Sequence, residues 1–282
     1  MTSAALPRRT TLLTLRPAVR WLVLIAVVNT SCRAAEHTLT EIKRFDAPEA
    51  RQAVAVDATH FYAITNSRIG KYDRRTGQRV ALWEASDEFP LKHLNSGIVK
   101  DGRLIAAHSN YPAFPEASSV EVWDTATMEH VASRSLGIYE GSLTWVDQKD
   151  EQWWMVFAHY SKKVNENPAA RSSRWTSLVR FGEHHQRTGA WVFPDGVVER
   201  FEPNSCSGGA WGPDGALYCT GHDHGEVYRL TLPKAGSTLK LTATLEVPFT
   251  GQGIAWDPDG KHLWGIDRPK GQVIVCRFDE AE

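Results

Sequence analysis

Five recurrences of one pattern predict an all-β chain folded as a five-bladed β-propeller of four-stranded antiparallel blades. The first observation is the recurrence itself: at a spacing of roughly 40 to 50 residues, the period of a propeller blade, a short apolar run is followed by a tight turn and a second apolar run. The second is the turn chemistry, with Asp-Gly at Asp101, Asp214 and Asp259 in equivalent places. The third lies at the ends. The last recurrence stops one strand short, and Leu39 to Phe45 near the start is a strand with no hairpin of its own. Pairing the two closes the ring and leaves no long exposed edge.

The first unit runs from Gln52 through Phe61 to Thr65, followed by a second hairpin, Ile69 to Trp83, that turns at Asp73 to Gly77. The second has Ser96 to Val99, a turn at Asp101-Gly102, Leu104 to His108, Val120 to Asp124 and His130 to Ser133. The third has Ser142 to Asp147, Trp154 to Tyr160, Thr176 to Phe181 and Ala190 to Phe193, with a polar insertion from Lys162 to Trp175. The fourth is Cys206 to Trp211, a Pro213-Asp214-Gly215 turn, a strand to Thr220, Glu226 to Leu230 and Leu239 to Leu245. The fifth is Gly253 to Asp257, a turn at Pro258 to Lys261, Leu263 to Asp267 and Gln272 to Phe278. Trp145, Trp211 and Trp256 recur at one position, where a bulky residue packs between adjacent blades.

Residues 1–35 read as a signal peptide and 36–282 as a single propeller domain. Arg8, Arg9, Arg16 and Arg20 flank the apolar run Trp21 to Val28, and small residues follow at Ser31, Ala34 and Ala35. The run is far shorter than the roughly 20 apolar residues that span a bilayer. Cleavage after Ala34 or Ala35 gives a soluble periplasmic or secreted protein. The run Asn29-Thr30-Ser31-Cys32 also resembles a lipobox, which would leave Cys32 as a lipid-modified first residue and membrane anchor. Removing five arginines from 32 basic residues leaves 27 against 33 acidic ones, a net charge of −6. With no basic stripe remaining, nucleic acid is argued against. Cys206 and Cys219 lie on opposite arms of one hairpin and either form a disulfide or stay as separate buried thiols; Cys276 reads as a small core hydrophobe.

In such a blade the start of the innermost strand and the end of the second strand meet at one end of the central axis. Second-strand exits are Thr65-Asn66, His108 to Asn110, His159-Tyr160, Gly221 to Asp223 and Asp267-Arg268; inner-strand starts are Arg51-Gln52, His93 to Ser96, Glu140-Gly141, Cys206-Ser207 and Gly251-Gln252. His108, His159 and His222 therefore form a candidate ring. They would hold a divalent metal, or contact a small polar ligand directly together with Asn95, Gln252 and Asp223, with Glu140 and Asp267 as acid/base groups. A third reading makes them a structural polar plug. Long insertions after His108 and His159 add Trp175 as a pocket wall and Arg171 and Arg174 for an anionic ligand. No Gly-x-Ser-x-Gly elbow, phosphate-cradling glycine loop or His-Glu-x-x-His occurs.

The apolar hairpins with Asp-Gly turns, such as Trp256-Asp-Pro-Asp-Gly-Lys, resemble bacterial extracytoplasmic β-propellers akin to streptogramin lyase and quinoprotein-dehydrogenase-like domains. The resemblance implies fold and compartment. Lyases of that kind have seven blades and use an axial histidine with a metal; five-bladed glycosidases use three axial carboxylates, of which only Glu140 and Asp267 are well placed here. The expectation is an exported monomer binding a small polar molecule at the axial mouth, as a hydrolase or lyase. The alternative is a non-catalytic propeller that binds another protein.

Overall fold

The computed structural model describes residues 1–2, 37–138 and 140–279. The expected signal peptide, with Cys32, falls outside the described residues apart from Met1 and Thr2. From Thr38 onward the chain forms five four-stranded antiparallel sheets, the five blades of a β-propeller.

Strand β1 (Thr38–Asp46) precedes the first blade. Blade 1 is β2 (Ala53–Val56), β3 (His60–Ile64), β4 (Arg68–Asp73) and β5 (Arg79–Glu84); blade 2 is β6 (Leu94–Lys100), β7 (Arg103–Ser109), β8 (Ser118–Asp124) and β9 (His130–Gly137). Blade 3 comprises β10 (Ser142–Lys149), β11 (Gln152–Ala158), β12 (Ser177–Phe181) and β13 (Arg187–Val192). Blade 4 comprises β14 (Gly208–Trp211), β15 (Leu217–Thr220), β16 (Glu226–Thr231) and β17 (Lys240–Glu246). Blade 5 has β18 (Ala255–Trp256), β19 (His262–Asp267) and β20 (Gln272–Asp279), and β1 completes it by pairing Leu39 with Phe278 and Phe45 with Val273. Arg44 of β1 then reaches across the seam to Asp267, Nη1 to Oδ2 at 2.9 Å.

Burial follows strand position. The inner strands are buried throughout in β2 and β14 is nearly so, whereas the outer strands β5, β9 and β17 show side chains to water along most of their length. Hence the scattered exposed Val80, Leu82, Val131 and Leu241 all lie on outer strands. Between blades the packing is tight. The Trp145 indole of blade 3 lies on Gly209 of blade 4, where a β-carbon would come within 2.6 Å of it. Trp145 is fully buried, while Trp211 and Trp256 pack half-buried on neighbouring clusters. Glycine is also required at the axis: a β-carbon at Gly253 would collide with Ala53 and Ser96 of two other blades. Cys206, Cys219 and Cys276 are buried free thiols, and the first two share a core cluster.

Two elements go beyond the sequence reading. The insertion between β11 and β12 folds into helix α1 (Ser161–Val164) and a 3-10 turn (Ser173–Trp175), and helix α2 (Asp195–Phe201) fills the connection into blade 4. Val197, Val198 and Phe201 of α2 are buried in the blade 3/4 core, so one helical face replaces a longer loop. The insertion is fastened to the end of α2. Ser161 donates to Glu202 at 2.7 Å, Lys162 Nζ donates to Asn204 Oδ1 at 2.5 Å, and Ser173 donates to the same glutamate.

Candidate functional site at the axial mouth

The starts of the inner strands do converge. Gln52, Asn95, Ser207 and Gln252, from blades 1, 2, 4 and 5, and Thr144 from blade 3 line a cavity of about 250 Å³ at one end of the axis, with His93, Tyr111, Tyr160, Lys162, Asn204, His222 and Arg268. Hydrogen bonds between blades hold this ring. Asn95 donates to the Leu143 carbonyl at 2.8 Å and Ser96 to that of Thr144 at 2.9 Å, joining blades 2 and 3. Thr220 donates to the Gln252 carbonyl, and the Gly253 N–H to the Gln52 carbonyl at 2.9 Å, joining blades 4, 5 and 1. The carbonyls are consumed by the framework, leaving side-chain amides for the cavity. Gln52 is partly engaged, donating to Asn66 Oδ1 at 2.6 Å. Among the described residues the Gln252 side-chain amide meets no protein partner.

The electrostatics of this mouth are one-sided. Lys162 Nζ bonds only an amide oxygen, that of Asn204, and lies 5.6 and 5.7 Å from the Tyr111 and Tyr160 ring centres. Arg268 Nη1 donates to His222 Nε2 at 2.7 Å. Neither cation takes a carboxylate among the described residues. Because Arg268 can only donate, His222 Nε2 accepts, and its Nδ1–H donates to Asp223 Oδ1 at 2.5 Å. The tautomer is thereby set and the imidazole is neutral. Burial raises the Asp223 carboxyl, but hydrogen bonds from His222 and Asn204 outweigh it and hold the group below the usual carboxylate range. His93 is also neutral: burial, with smaller contributions from His108 and Arg268, pulls its imidazole down to about 4.

The structure brings together Asn95, Gln252 and His222, with Asp223 behind His222, and separates the rest of the expected site. His108 does not reach the mouth. Its Nε2 accepts from the Lys92 N–H at 3.3 Å and its Nδ1 bonds Ser119, which in turn donates to buried Glu121. His159 turns to the flank of blade 3, so the three histidines do not surround one ion; among the described residues the sole His/Cys/Asp/Glu trio within metal-sharing distance is Asp257, Asp259 and His262. Asp257 of that trio is already ion-paired to Arg74 at 2.8 Å. Neither expected acid/base carboxylate lines the mouth. Glu140 pairs with Arg187 at 3.2 Å, beside Trp175 and His159 in the flank groove. Asp267 is clasped by Arg44 and Lys270, both at 2.9 Å; burial raises its carboxyl, but these two cations hold it below the usual range.

The chain is similar in fold to a glutaminyl cyclase. That enzyme, from Myxococcus xanthus, superposes with a TM-score of 0.56 at 12% identity, covering 87% of this chain and 98% of its own. Similarity extends more weakly to the mitotic checkpoint complex (TM-score 0.45, 9% identity, 96% of this chain and 99% of that one). It extends also to a Bacteroides caccae protein of unknown function (TM-score 0.41, 10% identity, 73% of this chain and 64% of that one). No family model and no curated protein matches the sequence.

Sequence reasoning did not name Thr144 as lining the mouth, placed Lys162 only in the insertion, and gave Tyr160 and Arg268 only as second-strand exits. The physical reason is local register. The first ladders of blades 2 and 3 carry β-bulges, between Leu94 and Gly97 and between Leu143 and Trp145, whereas that of blade 4 is regular. An extra residue re-aims the side chains beside it. Thr144, at the bulge of blade 3, therefore lines the mouth where the repeat alone places Glu140.

Proposed function

We propose that this protein is an exported propeller that binds a small polar ligand bearing an anionic group in the axial mouth. The observation that carries the reading is the pair of cations, Lys162 and Arg268, in a concave cavity with no carboxylate partner for either among the described residues. Carboxamides from Gln52, Asn95, Asn204 and Gln252 surround them, giving donors and acceptors for a ligand's polar body. His93 and His222 add imidazole rings to the lining as further polar groups. The leader composition, basic then apolar then small, supports export. No described helix is long and apolar enough to cross a membrane.

A thermal-shift screen of small carboxylates and phosphate esters, followed by calorimetry on the best of them, tests the reading. Replacing Arg268 with Gln is expected to weaken binding about tenfold to a hundredfold, the range for losing a hydrogen bond to a charged group. A panel that stabilises wild type and Arg268→Gln equally sinks it and favours the protein-binding alternative.

A second reading rests on the amides. A wall of carboxamides is complementary to a carboxamide, which fits a ligand carrying glutaminyl chemistry of the kind the Myxococcus xanthus enzyme's name denotes. Ring closure would need the substrate's amine to attack its own side-chain carbonyl, with ammonia leaving and a proton passing through a neutral base; His93 and His222 are the neutral imidazoles present. An ammonia-release assay on an N-terminal glutaminyl peptide checks this, and no release above that of buffer ends it.

A further inference from the structure

We propose that the flank of blade 3 carries a second ligand site, for an organic anion with a planar apolar body. It is a groove of about 360 Å³, lined by Glu140, His159, Arg171, Arg174, Trp175 and Arg187 with Ser177 and Val192, and it shares no lining residue with the axial mouth. Three guanidiniums face one space here. Arg187 is paired with Glu140, and Arg174 with the highly exposed Asp195 at 2.6 Å. Arg171 meets no carboxylate among the described residues and instead rests on the Trp175 ring, 4.7 Å from its centre. The groove therefore keeps one uncommitted guanidinium, whose planar fork suits a carboxylate or phosphate.

The exposed aromatic face beside that guanidinium points to a ligand. Trp175 is 58% exposed, a large apolar surface on a loop that hydrogen bonds otherwise fasten down. A planar ring laid against it would be desolvated on one face and aligned beside Arg171. His159, only 5% exposed, lines the same groove, with its buried Nδ1 3.9 Å from Glu116 Oε1.

Calorimetric titration with three probes, benzoate, phenyl phosphate and inorganic phosphate, tests the site on the full chain. Benzoate or phenyl phosphate is expected to bind, and whichever binds tighter names the anionic group. Arg171→Gln should weaken both aromatic probes about tenfold, one lost charged hydrogen bond. Trp175→Ala should weaken the aromatic probes and leave inorganic phosphate unchanged. Both residues lie on the exposed insertion, so the fold is not at risk. Arg268→Gln, in the axial mouth, should leave the part of the binding that depends on Arg171 and Trp175 unaffected. Failure of every probe overturns the proposal. So does binding that ignores Arg171→Gln, and so does binding lost in Arg268→Gln, which would move the anion to the mouth and support that reading alone.

Discussion

His159 and Tyr160 are consecutive residues that serve different cavities. The chain stays extended through Tyr160, with φ −131° and ψ 117°, so neighbouring side chains leave on opposite sides. Tyr160 and Lys162 turn to the axial mouth, while His159 and the later part of the same insertion, Arg171 to Trp175, build the flank groove. The mouth is made of inner-strand ends locked blade to blade by hydrogen bonds. The groove is made of loop and outer-strand side chains of one blade. The difference is one of construction: every blade contributes to the mouth, and a single blade with its insertion builds the groove.

The largest expected effect falls on both regions at once. Trp145→Ala empties the seam between blades 3 and 4 on which the mouth and the insertion both depend, and a loss of about 3–5 kcal/mol in unfolding free energy is expected from truncating a buried tryptophan. Chemical denaturation measures it. A loss below about 1 kcal/mol would show that the blade interface does not carry the two sites together.

Legibility divides along the same line. Closure by β1 could be read because the last blade visibly lacked a strand, and four of the five inner-strand contributions to the mouth could be read from the repeat. What could not be read was orientation at the second-strand exits, or the bulge beside Leu143 that accompanies Thr144 at the mouth, a backbone irregularity with no residue signature of its own. Asp267 illustrates the cost. Its position at an exit suggested chemistry, whereas its partner Arg44 comes from the other end of the chain and makes it a clasp for the closing strand. Helix α2 had a signal that was overlooked, Pro194-Asp195 at its start and Val197, Val198 and Phe201 on one face.

A smaller effect distinguishes the mouth. Folded His93 takes up a proton only near pH 4, whereas in the unfolded chain it does so near 6.5. The group's contribution to stability is thus present above pH 6.5 and lost as pH falls toward 4. The drop in stability between pH 7 and pH 4 should shrink by about 3 kcal/mol in His93→Gln. An unchanged drop would mean that His93 takes up its proton in the mouth as readily as in the unfolded chain. The smallest effect belongs to the groove: the Arg174 and Asp195 pair is 57% and 81% exposed, so Asp195→Ala should change stability by less than about 1 kcal/mol.

The most direct measurement is a crystal structure with the tightest-binding small anion from the panel soaked in. The account predicts density in the axial mouth with an anionic oxygen within hydrogen-bonding distance of Arg268 or Lys162 and a polar atom on the Gln252 amide. A mouth holding only water at a ligand concentration that saturates binding in solution would contradict it.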